Sequence, residues 1–429
     1  MQHTTRRLFL GGAAALGATT LAACGGGSGG GGGDIPDEIP ADEAAEIAYS
    51  IWDPAQKPAM EKIIAAFNEE YPDITVSISV TPFAQYFEKL QTQATGGDLP
   101  DVFWMNGPNF QLYASEGKLQ DVSEVPGVDT AKYPQAMNDL YTLDDAQFAV
   151  PKDFDTIALW WNQDLFEQAG VEAPDGNWTW EDYAQAARQI TDALGEDGIW
   201  GGCNGVENQA YLYPMTFQAG GEIVSDDGTT SGYDSPGAIE AFTFARSLVE
   251  DGAHPSIAYL TDNKPADVFN GGKAAMYWSG NWSAAVFKDS PVKDAIRTAP
   301  LPQGAEPANV IHGIGNAMAA EGANKAAAAA FLAFLGSEQA NLIQAEEGAA
   351  NPAHEGTATA YVESVPEFDL QMFIDNAADA RPYPVSKNTN AWLSLEADYF
   401  PRILGGELEV EAGLGELAEK MNQALADEQ

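Results

Sequence analysis

Cysteine is nearly absent from this chain: Cys24 and Cys203 are the two in 429 residues. A disulfide-stapled scaffold is therefore excluded, and the fold must rest on buried apolar surface. Basic side chains are scarce too. Twenty Lys and Arg stand against 64 Asp and Glu, a formal net charge of −44. So negative a surface repels phosphate backbones, which excludes nucleic acid as a partner. No arginine cluster offers an anionic ligand a pocket, and the excess acid reads as a solubility feature or an adaptation to salt. The four histidines, His3, His254, His312 and His354, have no metal-ligand spacing, so neither a metal nor another cofactor is expected. There is no G-x-S-x-G nucleophile elbow, no phosphate-cradling glycine loop, no heptad pattern and no repeat of fixed period. The uncharged apolar run 8–21 falls short of the roughly 20 residues that a spanning helix needs.

What is present begins with an address. Arg6 and Arg7 precede that apolar run, giving the n-region and h-region of an export signal over 1–23. Thr5-Arg6-Arg7-Leu8-Phe9-Leu10 matches a twin-arginine motif, with an ordinary Sec signal as the alternative. Leu21-Ala22-Ala23-Cys24 has the form of a bacterial lipobox, whose cysteine is lipidated; a plain small-residue cleavage site is the alternative. Residues 25–33 are glycine with one serine, and 34–46 are acidic with proline. Residues 24–45 thus read as a lipidated Cys24 and a flexible tether reaching on the order of 25 Å. A lipid-anchored body on the extracellular face of the membrane is expected, touching the membrane through that anchor only.

Roughly 385 residues remain, which suits two domains. Residues 46–52 read as a strand, 58–71 as a helix with Met60, Ile63, Ile64 and Phe67 on one face, and 74–80 as a strictly alternating strand. A helix over 83–94 and a strand at 101–105 complete a strand–helix–strand–helix–strand order, which implies a mostly parallel sheet covered by helices. Further on, strands are expected at 147–151, 156–161 and 273–278. Helices are expected at 163–169, 179–194, 211–219, 236–249, 326–344 and 414–425, and a small hairpin at 223–232.

Five stretches in fixed order carry a family resemblance. They are Phe67 to Val76, with Tyr71-Pro72-Asp73; Gly97-Asp98-Leu99-Pro100-Asp101-Val102-Phe103-Trp104; and Pro151 to Asp155 followed by Ala158-Leu159-Trp160-Trp161-Asn162. Next come Phe269-Asn270-Gly271-Gly272-Lys273 through Gly280-Asn281-Trp282, then Gly313 to Met318 before an alanine-rich helix. From about Glu46 onward the chain resembles the extracellular solute-binding proteins of the carbohydrate group, which includes maltose-binding protein. The resemblance implies a two-lobed α/β fold with a ligand cleft between lobes and crossing hinge segments near 152–154, near His312 and after Glu367. It places 46–152 and 313–370 in one lobe, and 153–312 and 371–429 in the other. It implies a monomer that captures a carbohydrate by hinge closure and hands it to ABC transporter permease subunits, without catalysis. A secreted carbohydrate-active enzyme and a sugar-binding surface lipoprotein without a transporter are the alternatives.

A neutral sugar needs aromatic faces for its C–H surfaces and amides or carboxylates for its hydroxyls. Most of the 10 Trp and 15 Tyr will be core. Those at strand C-terminal ends stand apart, because that edge faces the crevice of an open α/β sheet. Trp52 and Asp53 end the first strand, though Asp53 could instead cap the next helix. Trp104 and Asn106 end the third. Asp153 and Asp155 flank a crossing, where they either meet sugar hydroxyls or pin the hinge and pair with Lys152. By resemblance Trp282, beside Asn281, is the principal stacking platform; Trp278 lies inside a strand and is rather core. Asn208, Gln209 and Tyr211 fall where the second lobe supplies polar contacts, and Gly313 and Gly315 let backbone approach the ligand. Asn351, Arg381 and Trp392 complete the candidates, with Arg381 able simply to pair with an acid.

Overall fold

The computed structural model describes Ile35 and residues 44–428, apart from Asp226 and Asp379. The expected export signal, Cys24 and most of the tether lie outside the described residues.

The alternation seen in the sequence builds the first sheet. Ala45–Ile51 pairs in parallel with Ile74–Val80, from Ala45 opposite Ile74 to Ile51 opposite Val80. On its other side lies Val102–Asn106, also parallel. Helix Lys57–Glu70 opens with Pro58 in its first turn and buries Ala59, Met60, Ile63 and Phe67. Helix Phe83–Gly96 stops where Gly97 turns left-handed at φ 72°, a backbone state that glycine alone enters without strain. The expected parallel order holds for these three strands. Two antiparallel segments then close the sheet: Ile314–Met318 beside Val102–Asn106, and Val150–Pro151 at the edge. All five residues of Val102–Asn106 are buried, as befits a central strand covered on both faces.

The second sheet is mixed. Ile157–Asn162 runs antiparallel to both Ala274–Gly280 and Ile296–Ala299, and Trp200–Gly202 joins Ala274–Gly280 in parallel at the edge. The apolar run Ile157–Asn162 is explained by burial on both faces. Ile157, Leu159 and Trp161 enter one core; Ala158 and Trp160 enter another on the opposite side. Helix Trp180–Leu194 covers this sheet and starts with a reciprocal cap between Thr179 and Asp182.

Several expectations change. The single helix expected at 326–344 is two, Lys325–Leu335 and Glu338–Glu346, bent by 59°. Ser337 supplies a new N-cap, its hydroxyl accepting from the Ala340 amide. The stretch expected at 211–219 is a π-helical turn, Asn208–Leu212, running into helix Tyr213–Gln218. The hairpin expected at 223–232 is reduced to one bridge, Val224 to Ser231. Residues 313–370, expected together, divide. Ala317 to Leu335 bury with the first sheet, whereas Tyr361, Val365, Phe368 and Leu370 bury against the second. The reason is an aromatic nest, in which the Trp160 ring meets Phe368 at 5.1 Å and Phe373 at 5.5 Å. The chain therefore passes between the cores at 154–157, at 311–314 and over 340–361, where Ala345 enters the core beside Trp160 while Ala349 and Ala353 enter the first. The last of these precedes the region after Glu367 where a crossing was expected. Among the described residues no single helix is long and apolar enough to cross a membrane.

Candidate functional site

The three passages lie side by side at the C-terminal edge of the first parallel strands, where Ile314 stands opposite Asn106. Asp155 and His312 exchange backbone hydrogen bonds, the Asp155 amide donating at 2.8 Å and the His312 amide at 3.2 Å. The Phe154 amide donates to the Asn351 carbonyl at 3.2 Å, and the Ala353 amide to the Lys152 carbonyl at 3.1 Å. The backbone pairing fixes the register of this hinge.

Asp153 belongs to this hinge. It is 5 % exposed; one oxygen accepts from Lys152 Nζ at 2.7 Å and the other from the Ile314 amide at 2.8 Å. Lys152 Nζ also donates to Gln56 Oε1 at 2.8 Å and stands 4.7 Å from the Trp104 ring centre. So the pinning role, one of the two readings of Asp153, is the one this geometry displays. Asp53 makes a local turn and does not cap the next helix, whose N-cap is Gln56. Its carboxylate accepts from the Ala55 amide at 2.9 Å and from Gln56 Nε2 at 3.1 Å.

Asp155 is different. Its side chain is 14 % exposed, and one oxygen accepts from Gln209 Nε2 at 2.5 Å. Burial raises its pKa well above the ordinary carboxylate range; the neighbouring Asp153 charge adds to this, and the Gln209 hydrogen bond opposes it. His312 faces it, with Nδ1 3.9 Å from the other oxygen. The Gly107 amide donates to His312 Nε2 at 3.3 Å, which assigns the ring proton to Nδ1. Burial pushes His312 down to about 4, so it is a neutral group at pH 7. Lys152 is paired and His312 uncharged, so the crossing presents acceptors and amides rather than an unbalanced positive charge.

Behind Gln209 lies a buried carboxylate that the sequence reading missed. Glu396 is 2 % exposed. It accepts from Tyr213 Oη at 2.8 Å, from Asn208 Nδ2 at 3.1 Å and from the Tyr233 hydroxyl. Asn208 Nδ2 also reaches Tyr383 Oη at 3.3 Å. Burial lifts Glu396 to about 7, against the lowering effect of its three donors. The signal was there to find: Glu396 follows Trp392 by four on the buried face of helix Thr389–Leu404, an acid inside an apolar stripe.

The tryptophans sort by exposure. Trp104, expected in the cleft, is fully buried. Its Nε1 donates to Tyr49 Oη at 2.7 Å and its ring meets Trp52 edge-on at 5.1 Å. Helix Phe83–Gly96 covers it, Tyr86 Oη donating to the Trp104 carbonyl at 3.0 Å. Trp278, Trp392 and Tyr211 are likewise core, Trp392 Nε1 donating to Ser386 Oγ at 2.9 Å. Trp52 is half-buried among Phe83, Tyr86, Phe87 and Trp104. Trp282 is half-buried at the end of Ala274–Gly280, with no aromatic partner among the described residues. Its ring lies on Gly280, where an added Cβ would fall 1.9 Å from Cζ3. Glycine there is what lets the ring lie down.

The remaining candidates are mostly structural. Asn281 Oδ1 accepts from the Thr156 amide at 3.1 Å, and its Nδ2 donates to the Phe154 carbonyl at 3.3 Å. Asn351 Nδ2 donates to the same carbonyl, while its buried Oδ1 has no partner. Asn106 accepts from Asn109 Nδ2 at 2.7 Å. Asn109 in turn accepts from Asn390 Nδ2, a link from the first core to the second. Gly313 and Gly315 serve protein packing rather than ligand approach. A Cβ would lie 2.2 Å from the Asp153 carbonyl at Gly313, and 2.7 Å from Ala149 Cβ at Gly315. Arg381 takes its acid-pairing alternative, 3.7 Å from Glu306 and stacked 5.1 Å over Phe217.

Comparison with known proteins meets this geometry. An ABC substrate-binding protein from Listeria monocytogenes, solved in complex with cycloalternan, superposes with a TM-score of 0.84 at 28 % identity, covering 90 % of this chain and 100 % of that one. A binding protein of Brucella abortus is 27 % identical over 399 residues, 89 % of this chain and 94 % of its own. The galactooligosaccharide-binding protein of Bacillus subtilis is 24 % identical over 314 residues, 71 % of this chain and 72 % of its own. The family model described as bacterial extracellular solute-binding protein matches residues 52–342. With two α/β cores joined by three paired crossings, the chain belongs to the bacterial extracellular solute-binding protein family, a family of binders and not of enzymes.

Proposed function

We propose that this protein captures a neutral carbohydrate outside the cell and delivers it to an ABC-type importer. The observation that carries the reading is Trp282, a half-buried indole just past the end of a second-sheet strand and outside every aromatic cluster among the described residues. Gly280 beneath it pairs with Ile157, two residues beyond Asp155. An aromatic plane near a buried carboxylate and its Gln209 partner is what a sugar's C–H face and hydroxyl rim require. Charge supports neutrality. The chain is at −44, and the crossing cations are paired or uncharged. Relatives named for galactooligosaccharide and cycloalternan binding support the ligand class.

In this reading one lobe comprises 46–153 with 314–353 and the other 157–311 with 358–428. Ligand contacts from both lobes coexist only when they close, so ligand favours the closed form. The importer reads that form. Export by the twin-arginine route and a lipid on Cys24 would hold the body at the outer membrane face.

The test is a thermal-shift panel of neutral mono- and oligosaccharides, with amino acids and polyamines as controls. A ligand at a hundred times its Kd stabilises by about 2.7 kcal/mol. A sugar that raises the melting temperature and is recovered intact supports the reading. A shift with amino acids or polyamines alone overturns it.

A further inference from the structure

Four large apolar side chains stand exposed among the described residues: Phe83, Val206, Tyr259 and Val286. Phe83 is the most exposed, at 57 %, and its place in the fold is particular. It opens helix Phe83–Gly96 directly after strand Ile74–Val80. It therefore stands at the C-terminal edge of the first sheet, the edge on which the crossings lie. Its ring is 5.6 Å from Trp52 and 5.9 Å from Phe87. Trp52 ends the neighbouring strand Ala45–Ile51, as Asn106 ends Val102–Asn106 and Ile314 begins the crossing strand.

The strand order converts this into distance. From the crossing strand the sheet runs through 102–106 and 45–51 to 74–80. Three spacings of about 4.8 Å put Phe83 about 14 Å along the cleft edge from the hinge. An aromatic pair that far out lies beyond the reach of one pyranose ring bound at the hinge. The core does not need it: Phe83 is left open while Tyr86 and Leu90 of the same helix are buried. The edge strand of the second sheet shows a parallel feature. Val206, 40 % exposed, follows Trp200–Gly202.

We propose that Phe83, backed by Trp52, is a distal stacking subsite that receives the outer ring of an oligosaccharide and so selects for chain length. The inference rests on the carbohydrate reading above and goes further, assigning a residue and a minimum ligand size. A ring offered edge-on by Trp52 with its own face open suits the C–H side of a sugar. It suits a phosphate or carboxylate poorly, and the chain's net charge is negative.

Binding calorimetry with a homologous series from disaccharide to tetrasaccharide tests it, on wild type, Phe83→Ala and Phe83→Tyr. Phe83→Ala should leave the disaccharide unchanged and weaken the tri- or tetrasaccharide about 3- to 10-fold. Phe83→Tyr, which keeps the ring, should bind like wild type. Equal losses at every length, no loss at any, or wild-type affinity that does not rise beyond the disaccharide each overturn the subsite while the carbohydrate reading stands. Wild type that binds no sugar overturns both. The side chain is more than half exposed, so the variants fold, and matching melting temperatures verify it.

Discussion

Replacing Glu396 by Gln should make the protein's stability less dependent on pH. Glu396 is 2 % exposed and held by Tyr213, Tyr233 and Asn208, with no cation beside it. Burial raises its carboxyl from 4.5 to about 7. Below pH 4.5 both folded and unfolded chains carry the proton. Between 4.5 and 7 the unfolded chain releases it and the folded chain keeps it, so stability falls as pH rises. Above 7 the loss is complete. At 1.36 kcal/mol per pH unit this one group accounts for about 3 kcal/mol. An unfolding entropy of about 2.1 cal/mol/K per residue, over roughly 385 residues, is about 0.8 kcal/mol/K, so the expected effect is about 4 °C. Melting curves of wild type and E396Q at pH 5 and pH 8, at constant high salt, measure it. Part of the loss precedes pH 5, so the wild-type melting temperature should drop about 3 °C relative to E396Q between the two. A difference that stays constant within 1 °C would refute the burial argument, since every other titrating group cancels in the comparison.

The hinge makes two further predictions. Lys152→Ala leaves Asp153 buried and unpaired, which should cost about 3–5 kcal/mol in urea unfolding, whereas exchanging both for apolar residues (K152M with D153L) should cost less. Equal costs would mean that the pair is not what holds the crossing. Gly313→Ala forces a methyl to within 2.2 Å of the Asp153 carbonyl and should destabilise by about 1–3 kcal/mol; an unchanged urea midpoint would deny the close approach.

The sheets were legible because their patterns are local. The alternation over 74–80 and the apolar runs at 102–106 and 157–162 each state a strand and its burial before any fold is known. The crossing expected near 152–154 from the resemblance lies close to the observed passage at 154–157. What the sequence hid was which tryptophan stays open. Trp104 lies inside a buried strand and Trp282 two residues past the end of one. Trp104 is covered because helix Phe83–Gly96 packs Tyr86 over it, whereas Trp282 sits in the short helical turn after Gly280, its ring half-buried over that glycine. That difference is tertiary. The break at Gly336–Ser337 was hidden by the alanine-rich composition, which favours helix throughout. Glu396 is one acid among 64, marked in the sequence only by its place four residues after Trp392 in an apolar helical stripe.

The most direct test of the account is calorimetric titration of a neutral oligosaccharide into wild type and Trp282→Ala. Wild type should bind saturably with the ligand recovered unchanged, and the variant should lose about tenfold or more in affinity. Sugar binding that survives Trp282→Ala at full strength, or wild type that answers only to charged solutes, would contradict it.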